Sequence, residues 1–198
     1  WDAALEMYQA CDGEPSVSRG AAVGQARMLR NLGRNQEALA VLEPAKDWPE
    51  DSVRSLAGFE RAEILLALNR PLDSRQVLEA MEPGDPAAKV RRDYLMARAL
   101  SLSGDDATAL MLFDAVKPLD PAMAIGVVCG HARSLVRVGQ SPIAASMLED
   151  FISKNPDLPG LEDVFPILDS IYAAQPSASP SELKRWADDR GDSLRTKL

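Results

Sequence analysis

Residues 99 to 121 read ALSLSGDDATALMLFDAVKPLDP, and this stretch has the grammar of a helical hairpin. Leu100 and Leu102 close one helix, and Gly104 supplies the positive φ needed just past its C-terminus. Asp105 and Asp106 then stand at the electropositive start of a second helix. Ala109, Phe113 and Val116 follow at i, i+4 and i+7, which is one apolar face, until Pro121 marks the next boundary.

The pattern recurs along the chain. The turn position is occupied by Gly33, Asn69, Gly104 and Gly139, at steps of 36, 35 and 35 residues. Five residues later, where two helices must approach closely, stand Ala38, Ser74, Ala109 and Ala144. Four further come Leu42, Leu78, Phe113 and Leu148, then Ala45, Met81, Val116 and Phe151, and each unit closes on Pro49, Pro86, Pro121 or Pro156. Seven residues before each turn lie Ala26, Ala62, Ala97 and Ala132, with Leu29, Leu65, Leu100 and Leu135 three residues on. A period near 35 residues with two helices per unit predicts an all-α solenoid of stacked antiparallel hairpins, because one hairpin cannot bury its own apolar face.

The small residue in the first helix, the turn residue, the small residue after it, the Leu or Phe and the closing proline together resemble the tetratricopeptide repeat, over roughly residues 1 to 157, a resemblance that implies a right-handed α-solenoid. The chain departs from that family where its early Trp is replaced by Ala22, Gly58, Asp93 and Val128, and its Tyr by the four leucines. The pentatricopeptide repeat has a similar period and is the rival resemblance.

Residues 1 to 15 match the second helix of a unit whose first helix is missing, which suggests a fragment of a longer repeat protein. Four hairpins are expected within 16 to 157. Residues 158 to 198 are a divergent or capping hairpin, with a helix through LEDVFPILDSIYAA and an eleventh starting at Ser179 and Pro180. No run of 18 apolar residues exists in the sequence, so no membrane insertion is expected of this soluble segment, and its compartment stays open. Cys11 and Cys129 belong to hairpins far apart in the array, so no disulfide between them is expected.

Catalytic motifs are missing: there is no HExxH, Walker loop, GxGxxG, GxSxG or paired CxxC. The acidic pairs Glu50/Asp51, Asp105/Asp106 and Asp188/Asp189 read as helix-start charges rather than metal ligands, and His131 reads as a partly buried packing residue. No enzyme activity, cofactor or metal is expected.

Charge is distributed by helix type. The chain's formal net charge is -8. The four first helices sum to +8, the second helices with their loops to -14, and the tail to -2. In the family this chain resembles, first helices line a concave groove. That resemblance implies groove positions at Arg27, Arg30 and Asn31, at Phe59 and Glu63, at Arg91, Tyr94 and Arg98, and at Arg133 and Arg137.

An arginine fork suits carboxylates, so the expected function is a protein–protein interaction scaffold binding an acidic or extended peptide in an Arg-lined groove. The alternatives are an RNA-binding pentatricopeptide-like array and a purely structural spacer that associates end to end. The acidic balance argues against nucleic acid. A structural role for the arginines, with Glu63 bridging Arg27 and Arg98, stands beside the ligand-binding one.

Overall fold

The computed structural model describes residues 2–9, 15–49 and 51–174, and these form ten α-helices, two short 3-10 turns and no strand. The expected helix after Ser179 lies outside the described residues, as do Cys11 and Trp186. Two compact units divide after Asp105. The first holds α1 (Asp2–Gln9), α2 (Pro15–Asn31), α3 (Asn35–Val41), α4 (Asp51–Ala67), α5 (Pro71–Glu79) and α6 (Pro86–Ser103). The second holds α7 (Asp106–Ala115), α8 (Pro121–Arg137), α9 (Ser141–Lys154) and α10 (Phe165–Ala173).

Each repeating position has a physical job. Gly33, Asn69, Gly104 and Gly139 have φ of 75°, 55°, 89° and 80°. This left-handed residue reverses the chain so that the next amide reaches back to the helix it has just left. Arg34 N donates to Leu29 O at 2.8 Å, Arg70 N to Leu65 O at 2.8 Å, Asp105 N to Leu100 O at 3.0 Å and Gln140 N to Leu135 O at 2.8 Å. The recurring leucine therefore accepts the closing hydrogen bond on its carbonyl while its side chain is buried.

The recurring small residues are fully buried at all four copies on both helices, where anything larger than Ala or Ser would hold the backbones apart. Ser74, the one hydroxyl in that set, donates from Oγ to Ala62 O at 3.0 Å, so its polar atom is satisfied in place.

The Asp-Pro pairs form two helix starts. Asp85 accepts from Ala88 N at 2.7 Å and Asp120 from Met123 N at 2.8 Å, with Pro86 and Pro121 at the first helical position, where no amide is needed. The second helix of the first full hairpin is shorter than the 35-residue pattern suggests. Its α-helical part ends at Val41, and Glu43–Asp47 continues as a 3-10 turn. Pro44 has no amide to give and its ring opposes a further α-turn, which sets that stop. Pro166 sits at the start of α10, after a 3-10 turn at Leu161–Asp163, and does not kink the helix.

In the first unit α2 packs on α1, α3 and α4, and α4 packs on α5 and α6, so the first helices α2, α4 and α6 are neighbours in a row. In the second unit α8 packs between α7 and α9, and α10 covers α8 and α9. The core there runs from Ile125 and Val128 through Leu148 and Ile152 to Leu161, Phe165 and Leu168.

Because Leu100 is 4% exposed, Leu100→Ala is expected to cost about 2 to 5 kcal/mol in denaturant titration. Gln140→Ala, at an exposed turn residue whose side chain makes no cap bond, is expected to cost less than about 0.5 kcal/mol. Equal losses would mean that the repeat register is misassigned.

Candidate functional site

The row of first helices in the first unit carries an alternating strip of arginine and glutamate. Glu60, on α4, is 0% exposed and is the charged residue buried deepest among those described. Its Oε2 accepts from Arg27 Nε at 3.1 Å and its Oε1 from Arg30 Nε at 2.6 Å, both on α2. Both carboxylate oxygens are thus satisfied by cations from the preceding first helix, which is what a buried carboxylate requires.

One helical turn on, Glu63 repeats the arrangement. Its Oε2 lies 2.9 Å from Arg30 Nη2, and its Oε1 accepts from Arg91 Nη2 at 2.8 Å. The chain Arg27–Glu60–Arg30–Glu63–Arg91 stitches α2 to α4 and α4 to α6 without a gap. Arg91 also lies over the Phe59 ring, 5.1 Å from its centroid. Phe59 itself is buried, so this ring is a support for Arg91 and part of the core.

Arg98 is placed differently. It lies two turns beyond Arg91 on α6, with its guanidinium 5.5 Å from the Tyr94 centroid, and it forms no ion pair with a described residue. Arg98 and Tyr94 are both partly exposed, and Asn31 is exposed at the end of α2. The geometry does not join Arg27 to Arg98 through Glu63; Glu63 reaches Arg30 and Arg91 instead.

The second unit holds the two remaining arginines singled out in the sequence. Arg137 closes a fork on Asp106, with Nε donating to Oδ2 at 2.9 Å and Nη2 to Oδ1 at 2.6 Å, and Nη2 also reaches Ser134 Oγ at 3.2 Å. The bonds from Arg137 hold the Asp106 carboxyl below the ordinary aspartate range, with Ser134 helping and burial opposing. Asp106 therefore does more than face a helix dipole: it ties the start of α7 to the end of α8. Arg133 is exposed on α8 and forms no ion pair with a described residue.

His131 and Cys129 are packing residues here. His131 stacks on Phe113 at 6.1 Å between centroids and 14° between planes, with Nε2 3.7 Å from Asp114 Oδ1. Burial lowers its pKa, and Asp114 opposes that shift. Cys129 is buried with Sγ 3.8 Å from Asp163 O, and desolvation pushes its thiol up to about 11, so it is held as an unreactive thiol at neutral pH. Among the described residues no three His, Cys, Asp or Glu side chains converge on a metal position, and no helix is long and apolar enough to cross a membrane.

Sequence reasoning missed Glu60. Its repeat position, nine residues before the turn, holds Gly24, Leu95 and Gly130 in the other hairpins. A carboxylate at a position otherwise small or apolar was the available signal of a buried ion pair. Comparison of the chain with protein-family models, with curated proteins and with solved structures finds no match.

Proposed function

We propose that the chain is a tetratricopeptide-like α-solenoid segment that acts as a protein-interaction scaffold, and that the first-helix face of the first unit receives an acidic, extended peptide. The observation that carries this reading is the charge of that strip. Arg27, Arg30 and Arg91 pair with Glu60 and Glu63, and Arg98 lies beside the Tyr94 ring, so the four arginines and two glutamates of the strip sum to two positive charges on a chain whose formal net charge is -8. Such a local surplus attracts an anionic segment against the sign of the whole molecule. The glutamates also hold Arg27, Arg30 and Arg91 in place, so the shape and potential of the strip are set before any ligand arrives.

The experiment is a titration of the wild-type chain with a labelled glutamate-rich peptide, its glutamine analogue and a single-stranded RNA, at low and high salt. The glutamate peptide is expected to bind, the glutamine peptide not to, and the affinity to fall with salt because exposed charges are screened beyond about 8 Å at physiological ionic strength. Binding of RNA in preference to the peptide would replace this reading with a nucleic-acid one. Equal binding of the two peptides would remove the role of charge.

A further inference from the structure

The arginines of the strip are not equivalent. In the first unit Arg27, Arg30 and Arg91 have each given hydrogen bonds to a glutamate, so their charge is already partnered, and a ligand carboxylate would meet only their remaining donors beside the like charge of Glu60 or Glu63. Glu60 cannot yield its partners cheaply, because a buried carboxylate stripped of its donors is left uncompensated. Arg98 meets neither obstacle. It forms no ion pair with a described residue and its guanidinium rests at the Tyr94 ring.

A guanidinium held over an aromatic face by a cation–π contact leaves its N–H donors free for other partners while the contact restricts its rotamers. At Arg98 that combination is a preorganised fork that no described carboxylate takes up. The neighbouring Arg91, seven residues earlier on the same helix, adds positive potential even though one of its donors is committed to Glu63.

Resting on the scaffold reading above, we infer that Arg98, held by Tyr94, is the specificity-determining contact of the first unit, and that it takes an aspartate or glutamate side chain of the partner peptide as a fork-to-carboxylate pair. Arg27, Arg30 and Arg91 are positioning residues, which set the shape and potential of the strip and do not themselves bind the ligand. No bond is made or broken, and the recognised group is the ionised side-chain carboxylate.

The test is fluorescence anisotropy with a labelled glutamate-rich peptide against wild type, Arg98→Gln, Arg91→Gln, Tyr94→Phe and Tyr94→Leu. Arg75→Gln serves as the control, because Arg75 is on a second helix and paired with Glu79. Arg98→Gln is expected to weaken binding by about tenfold or more, as expected for a lost charged hydrogen bond. Tyr94→Leu is expected to lose several-fold, Tyr94→Phe, which keeps the ring, to lose less than Tyr94→Leu, and Arg91→Gln and Arg75→Gln to lose less than Arg98→Gln.

Arg98 forms no ion pair with a described residue, so Arg98→Gln is expected to melt with wild type, and circular dichroism checks this. Wild-type binding that survives Arg98→Gln, or falls further in Arg91→Gln, overturns the assignment and leaves the scaffold reading standing. No binding by wild type overturns the scaffold reading, and this assignment with it.

Discussion

Arg27→Ala/Arg30→Ala is expected to lose about 3 to 5 kcal/mol of stability, the cost of leaving a buried charge without its partners. Glu60 is 0% exposed, and its two carboxylate oxygens are each served by one of these arginines. Arg27→Ala alone should cost far less. Arg27 is 44% exposed along its side chain, and its loss leaves the shorter 2.6 Å bond from Arg30 in place. Glu60→Leu alone should also cost less than the double variant, since it leaves only arginines that can swing to water. The triple variant, with Glu60→Leu added to the double, is the decisive one. Replacing a buried ion cluster by an apolar residue of similar volume is often neutral, so most of the lost stability should return. Leu95, which stands at the equivalent position of the next hairpin, shows that a leucine fits this repeat position. Denaturant titration of these variants checks this, and a double variant no less stable than the two singles would mean that Glu60 has other donors.

This network marks the boundary of what the sequence makes legible. Hairpin turns are local: a glycine or asparagine at positive φ and a buried leucine five residues before the closing amide leave their mark within a few residues of one another. Close crossings are nearly as local, since Ala26, Ala62, Ala97 and Ala132 declare themselves by size at a fixed offset from the turn. Even the early end of α3 was written in Pro44. The assignment of arginines to partners is different in kind. Arg27 and Glu60 are 33 residues apart, and Arg30 and Glu60 are 30 apart. Their meeting depends on how α2 rests on α4, which no pattern along one helix encodes. A one-turn shift would have paired Glu63 with Arg27 and left Glu60 without its donors. The sequence therefore marks a face rich in arginine, and only the packing of helices separates Arg91, which is tied to Glu63, from Arg98, which is not.

Phe113→Ala is expected to cost about 3 to 5 kcal/mol, the range for emptying a buried aromatic site, and the way the ring is seated makes a sharper test possible. Phe113 is 2% exposed and its ring tip rests on the backbone of α8 at Gly130, where an added Cβ would lie 2.5 Å from Cζ and 2.9 Å from Cε1. His131 stacks on the same ring, so Phe113 is not free to swing aside. The same match occurs at Tyr8 and Gly24, where an added Cβ would fall 2.4 Å from the tyrosine ring. Where the corresponding ridge residue is Leu42 or Leu78, the position nine residues before the next turn is Glu60 or Leu95, not glycine. Aromatic ridge and glycine floor thus go together within this one chain. Gly130→Ala alone should destabilise by about 1 to 3 kcal/mol through overpacking, although alanine is the better helix former. In a Phe113→Leu background the tip of the ring is gone, so Gly130→Ala should change sign and stabilise by up to about 1 kcal/mol, the helix-propensity difference between the two residues. The coupling is read from a double-mutant cycle in denaturant titration, where neighbouring residues that share one space give non-additive energies. If Gly130→Ala has the same effect in both backgrounds, the ring does not rest on Gly130.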